Sequence, residues 1–139
     1  MVQIKRKTRS TPEKDDFLYI DRNILDRETE LQPKKMAKYS RDLAEAKQDV
    51  LEAKAKLELI AAELDPKIRR NPDKYGVETV TEPQVAKAIV RNKEYQKAQT
   101  ELFELQREEA DLKAIVNTLD HRKQAISDMV KLHLAGYWS

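Results

Sequence analysis

Cysteine is absent from the 139 residues, which excludes disulfides and thiolate metal sites. The two histidines, His121 and His133, have no supporting ligand pattern around them, so no metal or other cofactor is expected. Glycine occurs only at Gly76 and Gly136, and β-branched runs are scarce outside residues 77–80. With so few turns and so little strand-forming sequence, the expected fold class is all-α. No stretch approaches the roughly 18–20 apolar residues that a membrane span requires, so no membrane partner is expected. The N-terminus MVQIKRKTRSTPEKDD has no apolar stretch behind its cations and does not read as a secretory signal, which makes the cytoplasm the expected location. Glycine-rich phosphate loops, nucleophile elbows and paired-histidine zinc motifs are also missing, so the chain is not expected to be an enzyme. The neighbours Asp120 and His121 point about 100° apart on a helix and read as a solvated face rather than an acid/base couple.

What the sequence has in quantity is charge. Charged residues make up 37% against 40% hydrophobic, and the net charge of +2 conceals bunching of the cations. They gather at Lys5-Arg6-Lys7 and Arg9, at Lys34-Lys35, at Arg69-Arg70 and at Arg122-Lys123. Residues 1–16 hold little to bury and read as a flexible basic arm, and residues 17–139 as a single helical domain. Phe17, Tyr19 and Tyr39 are assigned to packing. Asp21 is placed to cap a short helix over about 21–31. Pro33 then suits the first turn of a long helix over about 33–70. Its seam is Met36, Tyr39, Leu43, Ala46, Val50, Ala53, Leu57, Ile60 and Leu64, in steps of three and four. Ala44, Leu51, Ala55, Leu59 and Ala62 form a milder second apolar face, which suggests more than one helical neighbour.

Pro66, Asn71-Pro72 and Gly76 mark the stop, and residues 71–80 form the loop. Thr81, Pro83 and Gln84 carry the signature of a helix start, and a second long helix is expected over about 82–134. Its seam runs through Tyr95, Ala98, Leu102, Leu105, Leu112, Val116, Leu119, Ile126 and Val130, with Glu109 and Lys123 as charged interruptions. At 1.5 Å per residue the two helices would measure roughly 50–55 Å and roughly 80 Å. A long antiparallel hairpin with coiled-coil seams would then leave Leu132, Leu134, Tyr137 and Trp138 as an overhang to be covered by another subunit, making the protein a homo-oligomer.

Between the helices stand Lys67, Arg69, Arg70, Lys74 and Tyr75. Cations beside an aromatic ring at a turn suit a single-stranded nucleic acid, with phosphates on the charges and an unstacked base on the ring. On the local sequence alone they better suit an ordinary helix end, where cations complement the macrodipole and a tyrosine staples the loop. Lys5, Arg6, Lys7 and Arg9 are a second candidate contact, with a solubilising tail as the alternative. Repetition around an oligomer would let weak contacts add by avidity.

Tyr19-Ile20-Asp21, Leu25, Glu28, Tyr39-Ser40 and Leu43, followed near the end by Ile126, Asp128-Met129 and Ala135-Gly136, form a progression that resembles the UvsY-like recombination mediators of T-even-like bacteriophages. The resemblance can be drawn over nearly the whole chain. It implies a non-enzymatic, ring-forming helical protein in the cytoplasm of a bacterial host, which binds single-stranded DNA, helps displace single-strand-binding protein and loads a phage recombinase for DNA recombination and repair. In that family a lysine and an arginine near the end of the first long helix are associated with DNA, and by position they look closest to Lys67 and Arg69. The alternatives from other classes are a coiled-coil scaffold and a chaperone-like oligomer, neither of which binds DNA.

Overall fold

The computed structural model describes residues 19–137. The basic arm with Lys5, Arg6, Lys7 and Arg9, together with Phe17 and Trp138, lies outside the described residues. Every regular element among the described residues is helical. A 3-10 turn, Arg22–Ile24, leads into α1, Leu25–Arg70. A second 3-10 turn, Pro72–Tyr75, is followed by α2, Glu82–Arg91, and α3, Lys93–Leu134.

Asp21 caps the first turn as expected, its Oδ1 accepting from the N–H of Asn23 at 2.9 Å. No separate short helix follows. The 3-10 turn merges into α1, which runs on through Pro33. An interior proline costs a helix about 3 kcal/mol, because it donates no hydrogen bond and its ring crowds the preceding turn. Contacts on the preceding side of Pro33 offset that cost: Glu28 and Gln32 are both buried and both hydrogen-bond to Arg122. The helix start expected at Pro33 is therefore moved back to Leu25 by tertiary contacts that local spacing does not reveal.

The second long helix is interrupted where continuity was expected. Asn92 leaves the helical region at ψ 133° and ends α2, its N–H donating to the Ile89 carbonyl. The same residue starts α3: its Oδ1 accepts from the N–H groups of Glu94 (2.9 Å) and Tyr95 (3.2 Å). One asparagine thus satisfies otherwise orphaned backbone groups of both helices. With the break at Asn92 and the extension through Pro33, α1 has 46 residues and α3 has 42, so the length mismatch inferred from the sequence disappears.

Packing divides the chain into two compact units. In the unit Glu45–Ala110, Ile60, Leu64, Ile68, Val77, Val85, Ala88 and Ala98 form one buried cluster, with Leu57, Tyr75, Ile89 and Tyr95 packed against it. Val50, Ala53, Leu102 and Leu105 form another. The link between α1 and α2 is fixed by its backbone. Asn71 precedes a proline and is non-helical at φ −130°, ψ 65°. Gly76 takes φ 70°, a left-handed conformation that suits glycine, and Val77 donates to the Pro72 carbonyl at 2.9 Å while burying its side chain. Thr81 then caps α2 through the Gln84 N–H, with Pro83 in the first turn, as the sequence signature required.

The other unit joins residues 19–44 to 111–137 and buries Leu25, Tyr39, Leu112, Leu119 and Ile126. Its interior also holds charge. Arg122 is 4% exposed and pairs with Glu28, donates to Gln32 Oε1 at 2.7 Å, and reaches the Tyr19 carbonyl at 3.2 Å. Gln32 in turn donates to the Leu119 carbonyl at 2.6 Å. The cation in the seam is therefore Arg122, and Lys123 is exposed. Both positions fit a step of seven between Leu119 and Ile126, one as three then four and the other as four then three. The arginine at the first is the one that meets a buried carboxylate.

Candidate nucleic-acid interface

The last turn of α1 carries Lys67, Arg69 and Arg70, and its macrodipole favours cations there. Ile68, fully buried between them, anchors that turn to the core, so Lys67 and Arg70 emerge on either side of it into solvent. Neither has an acidic partner among the described residues. Arg69 behaves differently. Its Nε donates to Asp65 Oδ1 at 2.8 Å and its Nη2 to Glu82 Oε1 at 2.5 Å, linking the end of α1 to the start of α2. Hydrogen bonds to Asp65 first and Glu82 second hold its pKa above the ordinary arginine value, so it stays charged at any working pH. Both pairs are solvent-exposed, and such pairs are weak and screened by salt.

In the adjoining 3-10 turn, the Lys74 side chain is exposed and its ammonium sits 5.8 Å from the centre of the Tyr75 ring. Tyr75 is half-buried against the Ile60–Ala98 cluster, so its ring is a packing element before it is a platform. Of the five residues singled out here in the sequence, Lys67, Arg70 and Lys74 are thus solvated cations. Arg69 is a fastener between helices, and Tyr75 closes the loop onto the core. The partner of Arg69 one turn back, Asp65, was visible as an (i, i+4) pair, whereas Glu82 required the fold.

No protein-family model, curated protein or solved structure matches the chain. Among the described residues no helix is long and apolar enough to cross a membrane, and no cluster of three or more histidine or acidic side chains is placed to hold a metal.

Two further cations in the same unit were not flagged in the sequence. Lys87 and Arg91 lie one turn apart on the solvated side of α2, opposite buried Val85 and Ala88, and the (i, i+4) spacing was the available signal. In the other unit, a groove of about 930 Å³ is lined by Pro33, Met36, Ala37, Ile126 and Val130, with Lys123 and Lys131 among its polar residues. Beyond it the chain leaves α3 through Gly136, at φ 72°, where Gly136 N–H donates to His133 and Tyr137 N–H to Leu132. This double bond pattern is a Schellman cap, which fixes the end of the helix. Leu132, Leu134 and Tyr137 are exposed there, the last two at 80% and 77%.

Proposed function

We propose that this protein binds single-stranded DNA and acts as a recombination mediator without catalysing any reaction. The observation that carries the reading is the trio of solvated cations, Lys67, Arg70 and Lys74, held at the turn between α1 and α2, the tip of the proposed hairpin, whose backbone is fixed by Ile68, Gly76 and Val77. Electrostatic contacts of this kind take phosphates without reading bases. The resemblance to the UvsY-like mediators supplies the biological frame. The strand would be held cooperatively, the grip of single-strand-binding protein weakened, and the strand presented to a phage recombinase in the bacterial cytoplasm.

In this reading the long helices form an antiparallel coiled-coil hairpin, and copies assemble into a ring-forming homo-oligomer. The exposed Leu132, Leu134 and Tyr137, with the apolar groove of the same unit, support an assembly surface. The basic arm, Lys5 to Arg9, would add phosphate contacts.

The test is fluorescence anisotropy of a labelled oligo-dT over a salt series, with duplex DNA as the control. Wild type is expected to prefer the single strand and to weaken steeply with salt. Replacing Lys67, Arg70 and Lys74 together by alanine should lower the slope of log K against log salt by about 2, from about 0.7 per phosphate contact. An unchanged slope would remove the tip from the interface. A second reading, a scaffold that binds no DNA, is favoured by one observation: Arg69 is engaged by two carboxylates, as at a purely structural helix end. It requires no binding even at low salt.

A further inference from the structure

Helix α2 has two sides of different chemistry. Val85 and Ala88 enter the core cluster. On the solvated side Ala86 and Val90 make an apolar row one turn long, and Lys87 and Arg91 make a cationic row beside it. Between them is an open notch of about 380 Å³ lined by these four residues alone. Val90 is 51% exposed in it.

Some exposed cations meet acids, as in Lys34 with Glu30, Lys56 with Glu101, and Arg69 with Asp65, whereas those on this face, like Lys67 and Arg70, meet none among the described residues. From Ala86 to Lys93 the chain has three cations, Lys87, Arg91 and Lys93, and no acid. The acid of the first turn of α2, Glu82, is occupied by Arg69. Neither Lys87 nor Arg91 has an acidic partner among the described residues, and Arg91 Nε leans back on the Lys87 carbonyl at 3.4 Å. The two cations are separated by a rise of about 6 Å along the helix, a span suited to successive phosphates of one strand. The apolar row beside them would cover a sugar or the face of an unstacked base, which a duplex hides. With no aromatic ring and no hydrogen-bonding amide in the notch, such a contact carries no base selectivity.

We infer that the Ala86–Lys87–Val90–Arg91 face of α2 is a second contact for single-stranded nucleic acid, taking phosphates on Lys87 and Arg91 and an apolar sugar or base surface on Ala86 and Val90. The inference rests on the proposed strand-binding function and extends it to a helix that the sequence hid inside a longer one. Because α2 shares a core with the last turn of α1, a strand held here is held by the same packed unit that carries Lys67, Arg70 and Lys74.

The test uses the full chain, labelled oligo-dT and a salt series, comparing wild type, Lys87→Gln with Arg91→Gln, Val90→Ser, and the triple alanine variant of the tip. Loss of two phosphate contacts should make the salt slope shallower by about 1.4. Val90→Ser should weaken binding with the slope unchanged, because it removes apolar contact and no charge. Melting temperatures should match wild type, since all three side chains are solvated. Binding by wild type that the tip variant weakens and the α2 variants leave unchanged overturns this inference while preserving the proposed function. Absence of binding by wild type at low salt overturns both.

Discussion

Arg122→Ala is expected to lower the free energy of unfolding by about 3–5 kcal/mol, because it leaves the Glu28 carboxylate buried without its countercharge. Gln32 Oε1 and the Tyr19 carbonyl lose donors in the same change. The pair itself is a separate matter. Desolvating two ions offsets most of their attraction, and Arg122 Nε has no hydrogen-bond partner. Replacing Arg122 by methionine and Glu28 by leucine together should therefore recover most of what the single change loses. Urea unfolding of wild type, the single variant and the double variant decides the matter. A single-variant loss below about 1 kcal/mol would mean that water reaches the carboxylate.

Ile68→Ala is expected to cost about 2–5 kcal/mol, the usual range for truncating a fully enclosed aliphatic side chain. Ile68 shares its cluster with Leu64, Val77 and Val85, so the cavity would open where α1, the loop and α2 meet. Leu59→Ala on the same helix is the matched control. Leu59 faces solvent and should change stability by no more than about 0.5 kcal/mol. The two values, read from the same denaturation experiment, separate core from surface on one helix. Equal effects would contradict the assignment of Ile68 to the core.

These two sites also show what the sequence could and could not say. The steps of three and four located Tyr39, Ala46, Val50, Ala53, Ile60 and Leu64, and all six are buried. The step pattern extends one interval further to Ile68, but Pro66 made that last turn look weak. In the structure the turn is held by packing and closed by Asn71 N–H on the Lys67 carbonyl. Pro33 acts in the opposite direction: its first-turn preference points to a helix start, whereas the buried bonds from Glu28 and Gln32 to Arg122 carry α1 through it. The break at Asn92 carries neither proline nor glycine, the strongest helix-breaking signals. An asparagine two residues before a glutamate is itself a helix-start signal. For the candidate interface, composition located the cations, while the partners that occupy Arg69 and the packing of Tyr75 depend on segments joined only by folding.

The bonds around Arg122 and those around Ile68 differ greatly in the length of chain they close. Glu28 and Arg122 are separated by 94 positions, whereas Arg69 and Glu82 are separated by 13. Closing a short loop sacrifices less chain entropy than closing a long one. The order of assembly should follow: the α1–loop–α2 corner nucleates, and the Glu28–Arg122 contact forms late. In stopped-flow kinetics, Val85→Ala should then slow folding, while Leu119→Ala should chiefly speed unfolding. The reverse pattern would place the nucleus at the termini. A late-closing charged lock makes the unfolding rate, more than the folding rate, the quantity that Arg122 controls, and so sets how long an assembled molecule persists once formed.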